Sequence, residues 1–250
     1  MGIGLGTALL LMSALFSSES AFINQAARAD VKKYILDKDR QAEVLDLMKT
    51  YETEFKAERK KEKKQEKALE KLFAIRNSEM SDFQSVFDDY MQSRELRQMS
   101  YLEGVLSVKS IITDTEWANI LTGVDSRTKI QLYEQDKLIS KVEYTNKSME
   151  AELKKWIEEE QRANQASLIM KEVNASEVAI LKNFYDFNYK NSELFRNRTA
   201  SEEEYKIAFK EYNSLWRAYF DLYTKAYMDL SAVTTDKEWQ IMKKYTKGMF

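Results

Sequence analysis

Proline, cysteine and histidine are all absent from this 250-residue chain, and glycine occurs only 6 times. Without proline and with so little glycine, almost nothing in the sequence interrupts backbone hydrogen bonding or forces a tight turn. Without cysteine there is neither a disulfide framework nor thiol chemistry. Without histidine, catalytic triads, the usual zinc sites and the di-iron sites of helical bundles lack a required ligand or base. We therefore predict that the protein is not an enzyme and holds no metal.

Two further absences concern nucleotides and nucleic acid. The glycine-rich stretch Gly2–Gly6 opens the chain and follows no strand, so it does not match a phosphate-binding loop, and we predict no organic cofactor either. The formal net charge of −2 gives no electrostatic reason to expect nucleic acid as a partner. Apolar residues make up 44% of the chain and charged residues 32%, which is typical of folded amphipathic helices and too apolar for a disordered chain.

The sequence matches itself when it is shifted by 122 residues. At this single offset Val31–Trp117 aligns with Leu153–Trp239 without a gap, from the pair VKKYILDKDR and LKKWIEEEQR to the pair TDTEW and TDKEW. An ordered series of matches at one offset indicates a duplicated unit. We predict an all-α fold made of two tandem long-helix hairpin repeats, which form an elongated helical bundle with no β-sheet. The predicted first repeat covers residues 30–123, a helical linker residues 124–149, and the second repeat residues 150–250.

Each repeat is predicted to contain two long helices and the start of a third. The first helix runs from about Asp30 to Arg76 and is roughly 70 Å long at 1.5 Å per residue, with its equivalent over Ala151–Arg198. Thr199 and Glu202 form a capping-box pattern at the start of the next helix of the second repeat. We also expect a break in the linker region at Gly123–Ser126.

The N-terminal stretch Gly2–Phe16 carries no charge and is strongly apolar. Its length is near that of a signal-peptide core and short for a membrane-spanning helix. Ala27–Ala29 offers a small-x-small cleavage site. We predict that residues 1–29 form a cleaved signal peptide, with an uncleaved membrane anchor and a buried core helix as alternatives. The protein is thus expected to be exported, to the periplasm or another extracytoplasmic space, with possible membrane association through residues 2–16.

A Thr-Asp-x-Glu-Trp element occurs once in each repeat. Thr-x-x-Glu is a capping-box pattern, and the tryptophan that follows suits the end of a helical core; the residues are Thr113, Glu116, Trp117, Thr235, Glu238 and Trp239. Ile112–Glu116 resembles the LTxxQ motif of the Spy and CpxP type of periplasmic stress proteins, with Ile in place of Leu and Glu in place of Gln, and Thr234–Glu238 is a poorer second copy of the motif. The resemblance implies an exported all-helical protein that lacks catalytic residues and binds unfolded polypeptides on a cradle.

The two repeats differ most in the second part of their first helix. Lys56–Lys67 is rich in both basic and acidic residues, whereas the equivalent Val178–Tyr189 is apolar and aromatic. We interpret the charged stretch as a solvated helix face, with anionic lipid or an acidic partner as the alternative. Aromatic residues of the second repeat are either core or a polypeptide-binding surface, and because adjacent aromatic residues point about 100° apart we expect some of them to be exposed; the candidates are Phe184, Tyr185, Phe187, Tyr189, Trp216, Tyr219, Phe220, Tyr223 and Tyr227.

Three functions fit these features. The first is an exported, non-enzymatic protein that binds protein clients, as a Spy-like chaperone or stress protein. The second is a membrane-anchored helical adaptor or structural subunit of a larger complex, whose apolar face is covered by one fixed protein partner. The third is a helical toxin that inserts its N-terminal segment into a membrane, although the sequence has no second insertion element.

Overall fold

In the computed structural model, residues 25–245 are described, and they form seven helices and no β-strand. The all-α prediction is therefore confirmed for this part of the chain. The apolar segment Gly2–Phe16 lies outside the described residues. In chain order the helices are α1 (Gln25–Tyr34), α2 (Lys38–Ala74), α3 (Met80–Ile111), α4 (Asp114–Trp156), α5 (Glu160–Arg196), α6 (Glu202–Val233) and α7 (Asp236–Tyr245).

The helix bounds follow the 122-residue offset found in the sequence. Shifting the bounds of α2 and α3 by 122 residues gives the bounds of α5 and α6, and the same shift takes the start of α4 to the start of α7. The end of α1 at Tyr34 likewise corresponds to the end of α4 at Trp156. One continuous helix, α4, therefore carries the last element of the first half and the first element of the second half.

The prediction of an unbroken first helix is wrong in both halves. The chain leaves the helix at Ile35 and re-enters it after Asp37. The Asp37 side chain accepts hydrogen bonds from the backbone N–H groups of Asp39 and Arg40, both at 3.0 Å. Gln41 donates from its side-chain amide to the Ile35 carbonyl at 2.7 Å and so satisfies part of the open end of α1. Ile35 and its equivalent Ile157 are both buried. The break thus turns an isoleucine into the core, and capping of the exposed backbone groups makes this possible.

Two smaller predictions about helix ends are also wrong. Helix α6 is capped by Ser201 with Glu204, not by Thr199 with Glu202; Thr199 lies before the helix and donates its hydroxyl proton to Asn197 Oδ1 at 2.8 Å. Helix α4 runs through Gly123 without a break. A single glycine inside a helix costs only about 1 kcal/mol, which the flanking turns outweigh.

The two hairpins, α2–α3 and α5–α6, meet through α3 and α6, which run antiparallel. Near the start of α3 the ring of Phe87 stacks on Phe220 with centroids 3.8 Å apart, and near its end the Lys109 ammonium donates to the Tyr205 hydroxyl at 2.8 Å. Between them the Arg94 guanidinium lies 4.8 Å from the centre of the Trp216 ring. The α3–α6 contact is thus aromatic at one end and polar at the other, with a cation–π contact in its middle.

Reciprocal ion pairs fasten the ends of the two halves. Arg76, after α2, contacts Asp236 at 2.9 Å, and Arg198, after α5, contacts Asp114 at the same distance. Arg76 also donates to the Ser231 carbonyl near the end of α6, and Arg198 donates to the Lys109 carbonyl near the end of α3, both at 3.0 Å. The turn within each hairpin is therefore held against the corner at which the other hairpin leads into the next helix, α4 or α7.

Candidate polypeptide-binding site

The first Thr-Asp-x-Glu-Trp element forms a corner that is closed by an arginine. The Thr113 hydroxyl accepts from the backbone N–H of Glu116 at 3.3 Å, and the Glu116 carboxylate accepts from the backbone N–H of Thr113 at 2.8 Å, which completes the predicted capping box. Arg40 donates to both carboxylate oxygens of Glu116, at 2.8 and 2.9 Å. Its hydrogen bonds lower the pKa of Glu116, and Trp117 is buried beside this corner.

The second element has the same geometry. Arg162 donates to both oxygens of Glu238, at 2.5 and 3.0 Å, and the backbone N–H of Thr235 donates to the same carboxylate at 2.7 Å. Burial by itself would raise the pKa of Glu238, but these donors, led by Arg162, lower the pKa to about 2. Trp239 is buried under the corner and packs edge-on against Tyr227, with ring centroids 5.3 Å apart.

Both elements therefore hold helix ends together, and a structural role accounts for their glutamates. Sequence reasoning missed Arg40 and Arg162, each of which donates two hydrogen bonds to the glutamate of its corner. Their positions in the sequence could have pointed to them, because each arginine is the last residue of the aligned ten-residue segments VKKYILDKDR and LKKWIEEEQR. A carboxylate meets a guanidinium with two parallel hydrogen bonds, and this geometry requires Glu, not Gln, at the fourth position of the motif.

The predicted binding aromatics of the second half are mostly core. Seven of the nine are buried, with at most 7% of the side chain exposed; these are Phe184, Phe187, Trp216, Tyr219, Phe220, Tyr223 and Tyr227. Tyr185 is partly buried against the same core, and only Tyr189 is exposed, at 80%. Of the two alternatives, core applies to the buried seven, and Tyr189 has the exposure that was expected of some of the nine.

The reason lies in the surroundings of α6. The prediction assumed one hairpin core, toward which two adjacent aromatic side chains could not both point. Helix α6 instead has α5 on one side and α3 on another: Phe184 of α5 packs against Trp216 with centroids 5.9 Å apart, while Phe87 of α3 stacks on Phe220. Adjacent Tyr219 and Phe220 can therefore both be buried, because each faces a different neighbour of α6.

A buried carboxylate accompanies this aromatic core. Glu177, on α5, accepts hydrogen bonds from the hydroxyls of Tyr219 at 3.1 Å and Tyr223 at 2.7 Å. Burial, followed by the charge of Glu177, raises the pKa of Tyr223 well above its usual value, and burial is also the main cause of the raised pKa of Tyr219. Both tyrosines therefore stay protonated and act as donors that satisfy the buried carboxylate.

In the first half, charged side chains occupy three positions that Phe, Tyr and Leu side chains fill in the second. Glu62 is fully buried and accepts from Arg97 at 2.5 Å and from Arg59 at 2.8 Å. Arg59 also pairs with Glu66 at 2.6 Å. At the 122-residue offset Glu62 corresponds to Phe184, Arg97 to Tyr219 and Arg59 to Leu181, all three of which are buried. The interpretation of Lys56–Lys67 as a wholly solvated helix is therefore wrong on this face.

Two exposed features stand apart from this core, a face of α5 and a cleft. On α5, Tyr185 and Tyr189 lie one turn apart, and next to them Lys190 pairs with Glu211 of α6 at 3.0 Å. The cleft opens between α1 and α2 and is lined by Arg28, Ala29, Lys32, Leu45 and Lys49. The α5 face combines tyrosines with charges of both signs, whereas the cleft is basic over an apolar floor.

Among the side chains that the structure describes, no cluster of carboxylates has the makeup of a metal site. None of the helices within residues 25–245 is both long and apolar enough to cross a membrane. No known protein family, curated protein or solved structure matches the chain.

Proposed function

We propose that this protein is a non-enzymatic helical adaptor, built from two copies of one helical unit and held at a membrane by its N-terminal segment, that binds one polypeptide partner. The observation that carries the proposal is the position of Ala27. This residue lies in α1 and is fully buried, in a core cluster that contains Val31, Val44 and Met48. Its neighbour Arg28 pairs with Glu52 of α2 at 2.6 Å.

Cleavage after Ala29 would remove both contacts. The core would lose a buried side chain and Glu52 would lose its arginine, so a chain that begins at Asp30 would be less stable than the full one. This supports retention of the segment before α1, and with it the apolar stretch Gly2–Phe16. A retained apolar segment favours the adaptor over a freely diffusing chaperone.

The fate of the aromatic residues also favours a fixed partner. A chaperone for many clients needs an adaptable apolar surface, but the aromatic side chains of α6 are used within the bundle. What remains on α5 is Tyr189 with partly buried Tyr185, beside the Lys190–Glu211 pair. Amphipathic tyrosines within a polar rim are typical of specific protein interfaces.

The Spy-like chaperone is the second candidate, and isolated exposed apolar side chains favour it. In the second half Leu168 and Ile207 are each 58% exposed, in addition to Tyr189. Loose contacts with an unfolded chain would need no continuous patch. The resemblance of Ile112–Glu116 to the LTxxQ motif supports this second candidate.

The experiment uses a C-terminally tagged full-length chain from its native membrane. The purified, detergent-solubilised sample is analysed for its N-terminal residue and, by native mass spectrometry, for bound polypeptides. We expect a chain that retains Gly2–Phe16 and carries one partner at fixed stoichiometry. A chain that starts at Asp30 and suppresses aggregation of an unrelated unfolded protein would overturn the adaptor in favour of the chaperone.

Tyr189→Glu tests the partner surface, and Tyr144→Glu is its matched control. Tyr144 is 76% exposed on α4, so both changes add the same charge at an exposed tyrosine. We expect partner binding to be lost in the Tyr189 variant and kept in the control. Phe187→Glu is unsuitable for this purpose, because Phe187 is buried and stacks on Tyr212, with centroids 5.3 Å apart.

A further inference from the structure

Helix α2 carries its lysines on one outward face. Seven of them fall within roughly 100° of arc around the helix axis at 100° per residue, and every one is exposed. They extend over 22 residues, or roughly 33 Å. We call this face the lysine ridge; it consists of Lys49, Lys56, Lys60, Lys63, Lys64, Lys67 and Lys71.

The glutamates interleaved with these lysines point the other way. Glu62 is fully buried against Arg97, Glu66 is turned toward Arg59, and the side chain of Glu58 is only 16% exposed. Between Lys56 and Lys71 the one exposed carboxylate is Glu70. The sequence alone suggested that the glutamates neutralise the basic run, but two of them, Glu62 and Glu66, pair with Arg97 and Arg59 instead. The exposed surface of the ridge therefore carries more net positive charge than the overall composition of α2 suggests.

Few of the ridge lysines are paired. Lys56 contacts Glu52 at 2.7 Å, while the other six form no ion pair within the described part of the chain. At its N-terminal end the ridge joins the cleft between α1 and α2, since Lys49 lines that cleft together with Arg28 and Lys32. The basic surface thus continues from α2 onto the first described helix.

The second half does not share this surface. Of the seven equivalent positions on α5 only two are lysine, and the others are Val178, Tyr185, Asp186, Tyr189 and Glu193. The helical framework therefore does not require the ridge, because α5 has the same length and position without it. A row of like charges on one helix is mildly destabilising by itself, so its presence on α2 calls for a ligand.

We propose that the lysine ridge binds the anionic headgroups of a phospholipid bilayer and lays α2 along the membrane surface. Lysine is a flexible point charge, which suits a dense plane of negative charge and needs no fixed geometry. The ridge has no arginine fork and no aromatic side chain on which a nucleic-acid base could stack. The adjoining α1 follows the apolar stretch Gly2–Phe16, and in this respect the inference rests on the proposed membrane anchor.

The test measures binding of the full-length chain to vesicles. One set is phosphatidylcholine, and the other contains about 30 mol% phosphatidylglycerol, whose negative surface attracts basic segments. The N-terminal segment contributes equally to both sets, so the ratio of the two partition coefficients reports the ridge. Each lysine near an anionic surface contributes roughly fivefold, so the triple variant Lys60→Gln, Lys64→Gln and Lys67→Gln should lower the ratio about a hundredfold.

A matched control changes Lys154, Lys182 and Lys210 to glutamine. These are exposed lysines outside the ridge, so the control makes the same change in net charge. We expect the control to keep the wild-type ratio, and about 1 M salt, where the Debye length is near 3 Å, to abolish the preference. Circular dichroism of each variant establishes that the helices are retained.

Three outcomes would overturn the proposal. These are equal binding to both vesicle types, equal losses in the ridge and control variants, and tighter binding to polyglutamate or DNA than to the anionic vesicles. The test is separate from that of the adaptor, because Tyr189→Glu should leave the vesicle ratio unchanged and the ridge variant should still carry the polypeptide partner. If the wild-type chain carries no polypeptide partner but still prefers anionic vesicles, the adaptor proposal is refuted and the lipid-binding proposal for the ridge is not.

Discussion

Replacement of Glu62 by glutamine removes the charge at the centre of the buried ionic cluster without changing its shape. The Glu62 side chain is fully buried, and that of Arg97 is 6% exposed. Arg59 keeps a second partner in Glu66, at 2.6 Å, whereas Arg97 loses the charge of the carboxylate that it contacts at 2.5 Å. Breaking a buried ion pair by removal of one partner typically costs 3–5 kcal/mol, and we expect about 3 kcal/mol here because the loss falls mainly on one arginine.

The second half of the chain supplies the complementary variant. Glu62→Phe, Arg97→Tyr and Arg59→Leu together copy the residues found at the equivalent buried positions of α5 and α6. Replacement of a whole buried ionic cluster by packed apolar side chains is often neutral or stabilising by about 1–4 kcal/mol. We therefore expect the triple variant to be more stable than Glu62→Gln, although it departs further from the natural sequence.

Urea unfolding followed by circular dichroism gives the free energy of unfolding of each variant. Lys61→Gln is the control, since it breaks the exposed Lys61–Glu58 pair on the same helix and should change that free energy by less than about 0.5 kcal/mol. The reasoning is refuted if Glu62→Gln costs no more than the control. It is refuted equally if the triple variant is less stable than the single one.

Three further predictions concern packing and pH. Trp117→Ala and Trp239→Ala should each lower the free energy of unfolding by about 3–5 kcal/mol, because both indoles are buried under the helix corners, and urea unfolding measures this. Gly104→Ala should cost about 1–3 kcal/mol despite its better helix propensity, because the added Cβ would lie 2.8 Å from Tyr51 Cγ. The double variant Gly104→Ala with Tyr51→Val copies Ala226 and Val173 of the second half and should recover most of the loss; no recovery would contradict the steric cause. Burial, and next the charge of Arg198, lowers the pKa of Lys109 from 10.5 to about 8. Between these pH values the unfolded state binds more protons than the folded state, so stability should rise from pH 8 to about pH 10, where tyrosines begin to titrate. Lys109→Met should flatten that rise, whereas Lys210→Met, at an exposed position, should leave it in place.

Local sequence signals were sufficient for much of the fold. The scarcity of helix breakers predicted an all-α chain, and the hydroxyl and carboxylate of Thr113 and Glu116 predicted a capping box that the structure contains. These features depend on hydrogen bonds between residues a few positions apart, so the sequence alone expresses them.

Features that depend on contacts between distant residues were not predicted. The break at Ile35 depends on a core in which the isoleucine is buried. Residues 35–37 include no proline or glycine, so no helix-breaking residue marks the break in the sequence. Thr199 and Ser201 both begin an acceptable capping pattern, and α6 starts after Ser201, with Ala200 between them buried in the core. Propensity and pattern leave such choices open, and tertiary packing decides between them.

The sequence by itself determined the helical class, the 122-residue periodicity and the residues available for a site. Only the tertiary structure decided which of those residues face solvent. It placed α6 between α5 and α3, which buried aromatics that one hairpin would have left exposed. It also turned Glu62 toward Arg97, a residue 35 positions away, and so left the lysines of α2 without their neighbouring carboxylates on the outer face. Burial is a property of what packs against a helix, and a helical pattern gives the angle of each side chain but not the neighbour at that angle.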